Sequence, residues 1–173
     1  MRTEWVKPDE MDCILMAMHW HNALALRVSL STGLRISDVL SLRSDCLHLE
    51  RISLRERKTG KRRTVRLPQS LKIDLARIAG KVFIFEGRLS PLKPRTRQAV
   101  YKDMRAAAKA LHLSGAIAPH SCRKAYAVRK YHASGDIRAV QRLLNHDSEA
   151  VTLLYALADE LSARGAHKRR KAR

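Results

Sequence analysis

Between residues 49 and 67, apolar and charged side chains alternate on both sides of the turn Lys58-Thr59-Gly60-Lys61, as LERISLRER before it and RRTVRLP after it. Period-two alternation marks half-buried strands, and two such runs around a glycine-containing turn predict an antiparallel β-hairpin. Elsewhere extended structure is expected only at KVFIFEG, residues 81–87, and the Pro-containing RLSPLKPR after it reads as a loop. The remaining patterns are helical. Asp9 and Glu10 after Pro8 open an apolar run that predicts one buried helix continuing to Gly33, and ISDVLSLR gives a short second helix. QSLKIDLARIAG reads as a helix stopped by Gly80. Thr96 is placed to cap a long helix, TRQAVYKDMRAAAKALHL. SCRKAYAVRKYHAS ends at Gly135, Asp136 caps DIRAVQRLLN, and Ser148 caps SEAVTLLYALADELSA. The expected fold class is therefore α+β and mostly helical, with a small antiparallel sheet built on a basic hairpin at about 49–67. No internal repeat and no domain boundary is evident, so the 173 residues read as a single domain, large enough for a hydrophobic core.

Charge narrows the class of partner. The chain carries 35 Lys and Arg against 16 Asp and Glu, a formal charge of +19. Such an excess points to a polyanion, of which duplex DNA is the commonest; RNA or an anionic membrane would satisfy charge alone. The cations are clustered. Residues 51–66 hold eight Lys or Arg against one acid, Glu56, and residues 164–173 hold six against none. The hairpin thus reads as a phosphate-tracking surface, with Arg57, Lys61, Arg62 and Arg63 as candidate DNA contacts, and the tail as a mobile electrostatic arm. Aromatics make up 5%, too few for base-stacking platforms. No run approaches the ~20 apolar residues of a membrane span. The N-terminus lacks an apolar signal core, and the odd cysteine count (Cys13, Cys46, Cys122) suits reduced thiols, so a cytoplasmic location is expected.

The last third of the chain carries PHSCRKAYAVRK and then LLNHDSEAVTLLY, which set His120, Arg123, His146 and Tyr155 in order, the tyrosine nine residues after the second histidine. Arginines bind a phosphate, imidazoles move protons or donate hydrogen bonds, and a phenol is a nucleophile once deprotonated. That is the set that phosphodiester chemistry without a metal requires. Tyr101, Tyr126 and Tyr131 lack this context and read as packing or surface residues. His19 and His21, two apart on a helix, face away from each other and do not suggest a metal site.

With TGLRISDVLSLR, KTGK, HSCR and NHDSEAVTLLY in this order, the chain resembles the tyrosine recombinases, the phage integrase family, over about residues 10–160. The resemblance matches Arg35 to the first catalytic arginine and Asp38 to the acid that supports the arginine cluster. It matches Lys58 to the hairpin lysine, although Lys61 lies on the same turn. His120 and Arg123 fall on the His-x-x-Arg box, His146 on the second histidine and Tyr155 on the nucleophile. Two positions depart from the family's usual residues: HSCR stands for His-Asp-Leu-Arg, and Asn145 for the glycine before the second histidine. Family members carry a helical DNA-binding domain ahead of the catalytic one, and here about nine residues precede the first helix. The resemblance therefore implies a catalytic domain alone, without the core-binding domain.

What the resemblance implies chemically is a site-specific recombinase or integrase, as found on mobile elements. Arg35 and Arg123 would donate to the non-bridging phosphate oxygens, His120 would serve as base for Tyr155, Lys58 would protonate the leaving 5′ oxygen and His146 would bind the phosphate. The product is a 3′-phosphotyrosine with a free 5′ hydroxyl, so no cofactor, metal or ATP is expected. The expected partner is double-stranded DNA, bound by a homotetramer on paired sites, with a monomer as the state without DNA. A type IB topoisomerase and a non-catalytic DNA-binding regulator are the competing readings.

Overall fold

A computed structural model describes residues 4–144 of the chain. His146, Tyr155, the helix expected after Ser148 and the basic tail lie outside the described residues. Among the described residues, seven α-helices run in chain order: α1 (Pro8–Ala17), α2 (Trp20–Thr32), α3 (Ile36–Leu40), α4 (Gln69–Ile78), α5 (Arg97–Ala110), α6 (Pro119–Ser134) and α7 (Ile137–Leu144). A 3₁₀ turn, Ser44–His48, leads into the hairpin β1 (Ile52–Arg55) and β2 (Arg62–Val65). A second ribbon pairs β3 (Glu86–Gly87) with β4 (Ser90–Pro94).

Helix α2 is the hub. It packs against α1, α3, α4, α5 and α6, and Leu24, Ala25, Leu26 and Val28 along it are fully buried. A helix apolar nearly all round belongs in the middle of a bundle. The predicted single helix up to Gly33 is instead two, because Met18 and His19 are extended. The break is stabilised from α5: Asp103 Oδ2 accepts from the His19 backbone N–H (3.1 Å) and from Asn22 Nδ2 (2.6 Å). A carboxylate from a distant helix thereby serves the start of α2, where a local cap side chain makes no such bond.

The hairpin forms as the alternation predicts. Ile52 faces Val65, Ser53 faces Thr64, Leu54 faces Arg63 and Arg55 faces Arg62, with Ile52 and Val65 buried on the core side. The expected loop at RLSPLKPR is corrected to strand β4, whose Pro94 pairs with Glu86 and Ser90 with Gly87, with a bulge between. Prolines are tolerated there because the ribbon has only two strands, and a missing N–H can face away from the partner. The α5 cap is as expected: Thr96 Oγ1 accepts from the Ala99 N–H at 3.2 Å. So is the junction of α6 and α7. Gly135 is left-handed, and Asp136 Oδ1 accepts from the N–H groups of Arg138 (2.7 Å) and Ala139 (3.1 Å). A small second core cluster, Tyr126, Ala127, Val140 and Leu144, joins these two helices.

Candidate active site

The site grows from the C-terminal end of α2. Gly33 adopts a left-handed conformation with φ of +69° and donates its N–H to Ser29 O at 2.8 Å, ending the helix. The turn is braced from within: Thr32 Oγ1 donates to Val28 O (2.7 Å) and accepts from Leu34 N–H (3.2 Å), while Ser29 Oγ donates to Leu34 O (2.7 Å). Leu34 is buried. Arg35 follows immediately as the residue preceding α3, its carbonyl accepting from Asp38 and Val39 N–H. A rigid turn thus fixes the backbone from which the Arg35 side chain projects.

Two acids then tie the hairpin to this turn. Asp38 on α3 is fully buried, and its Oδ1 accepts from the Arg57 backbone N–H at 3.0 Å. Glu56, just after β1, is also fully buried. Its Oε2 accepts from Arg35 Nη1 at 2.8 Å and from Thr59 Oγ1 at 2.9 Å, and its Oε1 from Arg63 Nη1 at 3.2 Å. Arg63 reaches on to the α2 terminus, its Nη2 donating to Thr32 O at 2.6 Å. Arg123 on α6 arrives from the other side, donating through Nη1 to Gly33 O and through Nη2 to Leu144 O at 2.9 Å. Arg63 Nη1 also donates to Gly33 O at 3.4 Å, so that one carbonyl is an anchor shared by both guanidiniums.

Electrostatics follow from this arrangement. Burial pushes the Asp38 carboxyl above its ordinary value, opposed by the Arg57 N–H bond, with Glu56 raising it further and Arg35 and Arg123 lowering it. Burial also acts upward on Glu56. Hydrogen bonds from Thr59, Arg35 and Arg63 outweigh it and hold that carboxyl below its ordinary value. Cys122, next to Arg123 in sequence, is pushed up to about 12 by burial, so it remains a neutral thiol and supplies no nucleophile.

The structure brings Arg35, Asp38 and Arg123 together around the end of α2. His120 is exposed in the first turn of α6, three residues before Arg123, the spacing that sets two side chains on one helix face. Lys58 is exposed on the hairpin turn, two residues beyond the buried Glu56. Arg57, Lys61 and Arg62 are exposed on the same hairpin. Arg63, expected among the DNA contacts, is 8% exposed and turned inward onto Glu56 and the α2 carbonyls. Strand alternation explains the difference, since Arg63 occupies the core-side register between exposed Arg62 and Thr64. The residue that sequence reasoning missed is Glu56. Its signal was its isolation, a single acid within a run of eight cations.

The profile of the phage integrase family matches residues 4–161. The probable integrase/recombinase YoeC of Bacillus subtilis is 32% identical over 144 residues, covering 80% of this chain and 78% of that protein. The tyrosine recombinase XerC of Mesorhizobium japonicum is 33% identical over 150 residues, covering 80% of this chain. This chain spans 47% of that XerC and 52% of the tyrosine recombinase XerD of Mycobacterium tuberculosis, about half of each. Among solved structures, XerA recombinase superposes with a TM-score of 0.71 at 21% identity, over 98% of this chain and 64% of its own. The catalytic domain of bacteriophage HP1 integrase does so with a TM-score of 0.65 at 16% identity, over 91% and 88%. The helical bundle with its basic hairpin is thus the fold of these catalytic domains, and the chain belongs to the phage integrase family, the tyrosine recombinases.

Proposed function

We propose that this chain is the strand-transferring catalytic domain of a site-specific DNA recombinase or integrase. The observation that carries the reading is the cluster at the end of α2, where Arg35, Arg123 and Arg63 converge with Asp38 and Glu56. Converging guanidiniums at a fixed backbone turn are what a phosphodiester transition state needs, because negative charge grows on its non-bridging oxygens. Glu56 holds Arg35 through Nη1 at 2.8 Å, and a planar guanidinium is the group that donates in pairs to phosphate oxygens. His120 is set on the helix face of Arg123, and Lys58 on the hairpin tip serves as the proton donor to the leaving 5′ oxygen. Tyr155 is the nucleophile and His146 a phosphate ligand. Exchange of one phosphate ester for another conserves the bond, so rejoining draws on no ATP and no metal.

Exposed Arg57, Lys61 and Arg62 would track the DNA backbone beside the cluster. The partner is double-stranded DNA, with two paired sites held by a tetramer; a lambda integrase tetramer bound to a Holliday junction is among the structures with this fold. The location that fits this role is the cytoplasm, and among the described residues no helix is long and apolar enough to cross a membrane.

Covalent trapping tests the reading. The protein is incubated with a pool of nicked duplexes whose cleaved fragment diffuses away, and a denaturant-resistant protein–DNA adduct is sought. The adduct should form with the unaltered chain and vanish in Tyr155→Phe. Arg35→Ala should slow it by ~10²–10³, the usual cost of one charge-stabilising donor. An adduct that persists in Tyr155→Phe would remove Tyr155 from the mechanism.

A further inference from the structure

We infer that Glu56 is a positioning residue for strand cleavage: it orients the Arg35 guanidinium toward the phosphate and couples that orientation to the hairpin carrying Lys58. The inference rests on the reading above, in which Arg35 and Lys58 act on the scissile phosphate.

Three observations converge on it. First, the carboxylate is fully buried and each of its oxygens is engaged by a guanidinium, Arg35 at 2.8 Å and Arg63 at 3.2 Å. A carboxylate that grips one edge of a guanidinium fixes the plane in which its N–H groups lie. Arg35 is itself only 11% exposed, so the plane of its guanidinium depends on buried partners, of which Glu56 Oε2 at 2.8 Å is one. Second, Glu56 lies at the root of the turn that bears Lys58. Its backbone N–H donates to Lys61 O (3.0 Å), its carbonyl accepts from Gly60 N–H (2.8 Å), and its Oε2 accepts from Thr59 Oγ1 (2.9 Å). The same oxygen that holds Arg35 therefore holds the residue next to Lys58. Displacement of the turn disturbs Arg35, and displacement of Arg35 disturbs the turn. Third, the charge is required locally. Arg35, Arg63 and Arg123 gather within reach of the same α2 terminus, with Asp38 as the other buried carboxylate beside them. Without the negative charge of Glu56, two guanidiniums would face a neutral side chain and separate.

Glu56→Gln keeps volume and one acceptor oxygen but removes the charge and turns an NH₂ group toward a donor. The chemistry gives a readout that mere destabilisation would not move. A methylphosphonate at the scissile position lacks one anionic oxygen, so an arginine serving that oxygen matters less on it. On an ordinary phosphate, Glu56→Gln should form the Tyr155 adduct ~10–100-fold more slowly in single turnover, a defect smaller than that of outright loss of an arginine donor. DNA affinity should change less than about twofold, since a buried carboxylate contributes little to the phosphate-tracking surface. On the methylphosphonate the defects of Glu56→Gln and Arg35→Ala should shrink together. Should the glutamine variant not fold, as judged by circular dichroism, Glu56→Asp is used instead. It keeps the charge, retracts it by one methylene, and should show the same slowing with the same rescue. A folded variant that cleaves at the unaltered rate, or a defect identical on both substrates, overturns the inference. Loss of the Tyr155 dependence in the unaltered chain would instead overturn the reading beneath it, so the two failures are distinguishable.

Discussion

Asp38 and Glu56 are both without solvent contact, yet their carboxyls move in opposite directions because only one of them is held by guanidinium hydrogen bonds. The sign of each contribution to stability follows from proton counting. Glu56 titrates below its ordinary 4.5 in the folded chain, so between that folded value and 4.5 the unfolded chain binds more protons. Its stabilisation is fully present above 4.5 and is lost as pH falls through the folded value. Asp38 titrates above its ordinary 3.8, so there the folded chain binds more protons, and its charged form costs stability as pH rises through its folded value. Urea midpoints measured from pH 7 to pH 3 should therefore fall less steeply on the acid side in Glu56→Gln than in the unaltered chain. Asp38→Asn should gain relative stability as pH rises through the same range. Parallel curves for Glu56→Gln and the unaltered chain would mean that its carboxylate is not held by Arg35 and Arg63 in solution.

At the scale of elements, the turns decide how the site is held, and two glycines separate strain from crowding. Gly33 and Gly60 have nearly the same left-handed φ, +69° and +68°, but a Cβ on Gly33 would collide with the Tyr126 ring, whereas one on Gly60 meets nothing within 4 Å. Gly60→Ala should therefore cost only backbone strain, ~1 kcal/mol. Gly33→Ala adds overpacking against α6 and should total ~2–4 kcal/mol in urea unfolding. It should also displace the carbonyl that anchors Arg123, so adduct formation should fall by more than the loss of folded protein accounts for. Equal destabilisation by both substitutions would show that Tyr126 yields without cost. The helix caps at Thr96 and Asp136 and the hairpin at 52–65 were legible because each is written locally, in a side chain two or three positions from the group it serves or in a period of two. The break at Met18–His19 was not legible, since its partner, Asp103, comes from α5 far along the chain. Strand β4 was hidden behind its prolines, and the isolation of Glu56 among cations marked the residue without giving its role. Both take their meaning from a partner that sequence does not reveal, the β3 strand in one case and Arg35 in the other.

Over the whole molecule, the charge of +19 sets how binding answers to salt, and the fold sorts which cations take part. A cation that neutralises a DNA phosphate releases a counterion, and each such contact steepens the fall of log affinity with log salt by ~0.9. Arg57, Lys61 and Arg62 are exposed on the hairpin; Arg63, their neighbour in sequence, is engaged by Glu56, Thr32 and Gly33. Sequence composition treats these four alike, whereas burial does not. Changing Arg57, Lys61 or Arg62 singly to Gln should lower the salt slope of duplex binding by about one each while leaving the unfolding midpoint nearly unchanged. Arg63→Gln should do the reverse: the slope stays, and stability drops by ~3–5 kcal/mol, the usual cost of breaking a buried pair from one side. Fluorescence anisotropy on one duplex between 50 and 300 mM salt, paired with urea unfolding of the same four variants, separates the two behaviours. A slope lowered by Arg63→Gln with stability intact would place that guanidinium on the DNA and not in the network that holds Arg35.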